Sequence, residues 1–197
     1  HVRSRRQRQM CIRDRNCVIH ANVSINDDAI IGDDVIIRSG TILGADAFYY
    51  KKRENGYDRL KSVGNVIIED GVEIGANCTI DRGVTASTII KKGSVLDNQI
   101  QIGHDTIIGE RCLIASQVGI AGCVTIENDV NIWGQVGITS GVTIGEKTIL
   151  YAQSGVTKSL EGHQAYFGSP AEEAKKMYKK MALTQIMLKE YRNKTND

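Results

Sequence analysis

The sequence is short of the residues that usually fill and punctuate a protein core. One proline stands against twenty glycines, and aromatic residues make up 5% of 197. With so little aromatic bulk the core must be thin and filled by small branched side chains. No apolar run approaches the ~18 residues of a membrane-spanning helix, which excludes a transmembrane segment of that kind. Cys11, Cys17, Cys78, Cys112 and Cys123 are an odd number with no C-x-x-C spacing. That argues against a disulfide framework or a zinc site and fits a reducing, cytoplasmic setting. Neither a metal nor another cofactor is expected.

The net charge of +2 conceals an uneven distribution. Residues 1–15 hold six arginines against one aspartate, so the remaining 182 residues carry −3. The arginine run has no periodicity and no interleaved aromatics, and no apolar segment follows it as in a secretory signal. It reads as a disordered or non-native lead rather than a nucleic-acid-binding arm, so no nucleic-acid partner is expected.

What is abundant is a period. Aliphatic residues recur every six positions: Ile19 to Leu43, Ile68 to Ile80, and Ile90 to Val156, twenty hexads in all. Four residues after each sits a second small or branched residue, among them Val72, Cys78, Val84, Cys112, Val118, Val124 and Val130. A period of six suits neither an α-helix nor simple strand alternation. It fits an all-β parallel β-helix of hexapeptide repeats, each hexad giving one short strand and one turn.

A longer period of 18 runs through Gln99, Gln117, Gln135 and Gln153. Three hexads therefore close one triangular coil. With coils about 4.8 Å apart, the four amides should form a structural ladder along one corner. Cys78 and Cys112 fall at inward positions and read as packing residues.

Two interruptions break the series. Residues 49–65 are charged, tyrosine-rich and out of phase, which predicts a loop thrown out from a corner. From Ile80 to Ile90 the spacing is ten rather than six. Long excursions from a solenoid gather at the working face. After the solenoid, residues 16–167, the stretch Gly168-Ser169-Pro170-Ala171 should open a helical extension over 168–197. Pro170 would lie in its first turn, with Glu172 and Glu173 favourable to the helix dipole. Met177, Met181, Ile186, Leu188 and Tyr191 give it an apolar face, which should pack on the last coil or on the same helix of another subunit. Lys175, Lys176, Lys179 and Lys180 give it a basic one.

His1, His20, His104 and His163 are the four histidines, and only His104 lies mid-solenoid. It is third in the hexad IGHDTI and so faces outward. Gly122 follows 18 residues later, one coil above. A base below a glycine N–H supplies the two parts acyl transfer to an amine needs: a proton acceptor and an oxyanion donor. A histidine facing out from a narrow prism lacks a second wall, which a homotrimer with parallel axes would provide.

The segments IGANCTIDRG (74–83) and LDNQIQIGHDTIIGERCLIASQVGIAG (96–122), with LGADAF (43–48) and FGSPA (167–171), resemble the UDP-3-O-acylglucosamine N-acyltransferases of lipid A biosynthesis. The resemblance runs from about Asn16 to the C-terminus. TIDRG together with LDNQ and the histidine five residues on separates that family from the related O-acyltransferases. It implies a left-handed helix, a homotrimer, and transfer of a 3-hydroxyacyl chain from acyl carrier protein to the 2-amino group of UDP-3-O-acylglucosamine.

On the same basis His104 matches the general base, Gly122 the oxyanion-binding glycine, and Asp97 an acid that orients the histidine. Asp97 lies seven residues before His104 and on another face, so their pairing would run between subunits; Asp105 is the local competitor. The basic helix face would suit an acidic carrier protein. Gly141 stands where the family often has a second histidine. The N-terminal uridine-binding domain has no counterpart, so the chain should hold the chemical residues while binding nucleotide poorly. The alternatives are an acetyl-CoA-dependent hexapeptide acetyltransferase acting on an amino sugar, and a non-catalytic scaffold. A hexapeptide carbonic anhydrase needs three histidines around zinc, and only His104 is placed for one.

Overall fold

A computed structural model describes residues 12, 13 and 15–195. Short parallel strands stack into a three-sided prism whose faces hold seven, nine and seven strands. Each hexad contributes two strand residues. On the third face Gln101–Ile102 pairs in register with Gly119–Ile120 and that pair with Gly137–Ile138. The first residue of each pair faces out and the second faces in, so Ile102, Ile108, Ile114 and Ile120 are all within 2% of full burial. Successive isoleucines meet at the 18-residue step and fill the narrow bore without aromatic help.

The corners explain the ladder. At one corner Gln99, Gln117, Gln135 and Gln153 adopt left-handed backbone conformations with φ of 60–61°. Such a conformation costs an L-residue roughly 1–2 kcal/mol. Rung-to-rung amide bonds offset part of it: Gln117 donates to Gln99 (3.0 Å), Gln135 to Gln117 (2.8 Å) and Gln153 to Gln135 (2.9 Å). Cys78 and Cys112 are buried as expected, with thiols that donate to the Asp97 and Glu127 carbonyls at 3.1 Å. Burial pushes both thiols up. The four described cysteines are free.

The structure departs from the sequence-based expectations in four places. Ile12–Arg13 adds a first rung to the first face by pairing with Ile30–Ile31, ahead of the expected boundary at residue 16. Residues 1–11 and 14 of the arginine-rich lead lie outside the described residues. The thrown-out segment forms an antiparallel hairpin, Tyr50–Arg53 against Gly56–Arg59, whose mostly charged side chains suit a ribbon exposed on both faces. Val84 is only partly buried, because it belongs to the 82–86 excursion and not to a hexad.

The C-terminal helix is the fourth departure. It begins at Ala174, not at Pro170. Glu172–Glu173 instead pairs antiparallel with Tyr166–Phe167 and closes the second face, because strand bonding there satisfies backbone that a helix start would leave open. The two acids bond forward to helix lysines, Glu172 to Lys180 (2.6 Å) and Glu173 to Lys176 (3.2 Å). Only the start of the helix packs on the solenoid: Ala174 is buried and Tyr178 meets Phe167 at 6.1 Å. Met181, Leu183, Ile186, Met187, Leu188 and Tyr191 are exposed. Among the described residues no helix is long and apolar enough to cross a membrane.

Candidate active site

His104 sits at the corner after the third face, and its place is set by two close backbone approaches. A Cβ on Gly103 would fall 2.5 Å from the Gly122 nitrogen, and one on Gly122 would fall 2.5 Å from His104 Nε2. Only glycine at both positions lets the coils stack with the imidazole lying against Gly122. The next coil fixes the backbone, since the Cys123 N–H donates to the His104 carbonyl at 2.8 Å.

Asp105 holds the ring. His104 Nδ1 and Asp105 Oδ2 are 2.8 Å apart, with the side chains 13% and 15% exposed. Nδ1–H donates to the carboxylate, and in the neutral ring this makes Nε2, beside Gly122, the lone-pair nitrogen. Asp105 is itself clamped: it accepts from the Val84 N–H (3.0 Å) and the Ala86 N–H (2.9 Å), and its own N–H donates to Thr88 Oγ1 (3.0 Å). Burial pushes the Asp105 carboxyl up, but the Val84 and Ala86 N–H groups and His104 outweigh it and hold it below its ordinary value. The ten-residue spacing between Ile80 and Ile90 thereby acquires a purpose. Its extra residues carry the two N–H groups that seat the acid.

Gly122 supplies the second part. At other corners the equivalent N–H is capped by a side chain of the adjoining coil: Glu110 donates to Asn128 Oδ1 (2.9 Å) and Ala76 to Asn98 Oδ1 (2.7 Å). The Gly122 N–H donates to no acceptor among the described residues. An open backbone donor beside the imidazole can hold a developing oxyanion.

The wall expected from a neighbouring prism comes in good part from the same chain. The root of the hairpin, Asp46 to Tyr50 with Arg59, folds over the corner and encloses a cleft of about 840 Å³ with His104, Gly122 and Gly141. Tyr49 meets the imidazole edge-on, with ring centroids 5.4 Å apart. Among the described residues, its own chain neighbours aside, nothing lies within 4 Å of where a Cβ on Gly141 would point, so that space is open.

The structure brings His104 and Gly122 together but not Asp97. Asp97 stands at the corner after the second face, where Oδ1 accepts from Asn98 Nδ2 at 2.8 Å. The acid on His104 within one chain is Asp105, which the sequence offered only as a competitor. The sequence also gave no sign of the Val84 and Ala86 clamp, because those donors come from a stretch without a period. Cys123 adds a third metal-type donor, with His104, Asp105 and Cys123 ligand atoms all within 4.8 Å of one another. Two of the three are already committed to each other and to backbone N–H groups.

Comparison with known proteins agrees with the repeat and the fold. The family described as bacterial transferase hexapeptide (six repeats) matches residues 15–45. A UDP-3-O-acylglucosamine N-acyltransferase from Wolinella succinogenes is 39% identical over 175 residues, 88% of this chain and 55% of that protein. The chain is a relative of these N-acyltransferases. The enzyme of the same name from Fusobacterium nucleatum is 51% identical over 77 residues, 39% of this chain and 23% of that one. This relative of the N-acyltransferases thus spans about half the length of the Wolinella protein. In fold it is similar to a UDP-N-acetylglucosamine acyltransferase from Bacteroides fragilis, with a TM-score of 0.72 at 22% identity over 81% of this chain and 60% of that one.

Proposed function

We propose that the chain is an N-acyltransferase of lipid A biosynthesis that moves a 3-hydroxyacyl group from acyl carrier protein to the 2-amino group of UDP-3-O-acylglucosamine. The observation that carries this reading is His104 Nε2 packed against Gly122, whose N–H is open, in one cleft. The amine attacks the thioester carbonyl while Nε2 takes its proton. The Gly122 N–H holds the tetrahedral oxyanion. As the C–S bond breaks, the imidazolium returns the proton to the leaving thiolate. Asp105 keeps Nδ1–H in place and stabilises the imidazolium between these steps.

The reading includes a homotrimer in a cytoplasmic setting. Supporting the trimer are the apolar helix residues beyond Tyr178, which are exposed among the described residues, and the outward Val18, Val95, Leu113 and Trp133 on and beside the second face. In a trimer Asp97 would face a neighbouring subunit. The carrier protein would meet the helix through Lys175 and Lys179, since Lys176 and Lys180 already pair with acids. The test is a mass-spectrometric transfer assay with a 3-hydroxyacyl carrier-protein thioester and with acetyl-CoA, on this chain and on one extended by a uridine-binding domain. Transfer from the carrier protein supports the reading. Transfer only from acetyl-CoA would favour the acetyltransferase alternative, and a monomer by light scattering would remove the trimer.

A further inference from the structure

The cleft holds an acidic group that the transfer steps leave unused. Asp81 ends the third-face strand Thr79–Asp81, where the register against Ile42–Ala45 shifts between Ile80 and Asp81 so that Asp81 pairs with Ala45. A bulge of this kind re-aims a side chain. Ile80 stays in the core, while Asp81 borders the cleft shared by His104 and Gly122.

The Asp81 residue is 7% exposed. Burial pushes its carboxyl up, the Gln101 side-chain bond and the nearby His104 draw it down, and Asp46 pushes it up again. No lysine or arginine among the described residues neutralises it. Arg59, on the same cleft, is held by Asp46 at 2.7 Å. Arg82, the next residue, turns away to the Gly64 carbonyl (2.7 Å) and Asp28 (3.4 Å). A buried carboxylate without a cation is expensive for the fold, and the expense is relieved when a ligand brings the cation.

We propose that Asp81 is the residue that selects an amine as acceptor: its carboxylate receives the ammonium form of the acceptor's amino group and holds the nitrogen beside His104. The inference rests on the acyl-transfer reading and deepens it. The bound ammonium loses one proton to solvent, the free amine attacks, and the second proton passes to His104 Nε2 as the C–N bond forms. An acceptor with a hydroxyl in place of the amine brings no cation and leaves the carboxylate unpaired.

The experiment compares UDP-3-O-acylglucosamine with its glucose counterpart, which has a hydroxyl at the same carbon, on the full chain and on Asp81→Asn, with a 3-hydroxyacyl pantetheine thioester as donor. Asn preserves the shape and removes the charge. The expected result is a fall in kcat/KM for the amine of roughly 10- to 150-fold, carried by KM, with the hydroxyl acceptor changed little. Calorimetric binding of both acceptors to the unmutated chain gives a second readout that does not require the variant to fold: the amine should bind more tightly. An unchanged amine-to-hydroxyl ratio in Asp81→Asn, or equal binding of the two acceptors, would overturn the assignment. If the unmutated chain transfers to neither acceptor, the acyl-transfer reading fails, and the binding comparison still decides what Asp81 does.

Discussion

From Ile90 to Val156 twelve hexads repeat without a break, while the two interruptions, residues 49–65 and 82–86, obey no period at all. The regular coils bury the second residue of each strand pair and hold each other through identical ladders. They offer His104 and Gly122, but a bare corner of such a prism has no enclosed cleft. The interruptions bury little. The hairpin strands are exposed throughout, yet the hairpin root walls the site and the 82–86 excursion seats Asp105. Repetition supplies stability and register, whereas the breaks in repetition supply the local asymmetry that chemistry needs.

That division can be broken from either side. The largest effect should come from His104→Ala, which is expected to lower acyl transfer by roughly 10²- to 10⁴-fold, the usual contribution of a positioned base. Its melting temperature should hardly move, because the side chain lies outside the core; a calorimetric scan beside the assay checks both halves.

In the regular coils the expectation reverses. Ile108→Ala, at a fully buried position, should cost about 2–5 kcal/mol of stability by chemical denaturation. Activity per folded molecule should be retained, and a matching fall in turnover would show that the coils and the site are not separable.

A smaller effect falls on the clamp. Asp105→Ala should reduce transfer by roughly 10- to 150-fold, the weight of a charge-assisted hydrogen bond. Asp105 also carries a pH signature. Its folded value lies below the ordinary carboxylate value of about 3.9, so its stabilisation is complete above that pH and is lost as pH falls through the folded value. Asp105→Asn should flatten that part of the acid unfolding curve, and an unchanged curve would mean that the clamp adds nothing to the fold.

The smallest expected change is at the ladder. Gln135→Gly gives up two amide bonds but relieves a left-handed φ of 61°. The two should nearly cancel, within about 1 kcal/mol by denaturant titration.

The six- and eighteen-residue periods were enough, from sequence alone, to name the coil, its inward residues apart from Val84, the glutamine ladder and the stacking of His104 under Gly122. Periodicity is legible because every rung repeats the same contact, so spacing along the chain maps directly onto position in space. Only the tertiary structure could put Asp105 on His104 within one chain, fold the 49–65 segment into a hairpin that walls the cleft, and turn Glu172–Glu173 into a strand. Those outcomes depend on single hydrogen bonds between segments with no common period. The Val84 and Ala86 N–H groups reach Asp105 because an irregular turn happens to aim them there, and no spacing in the sequence encodes that aim.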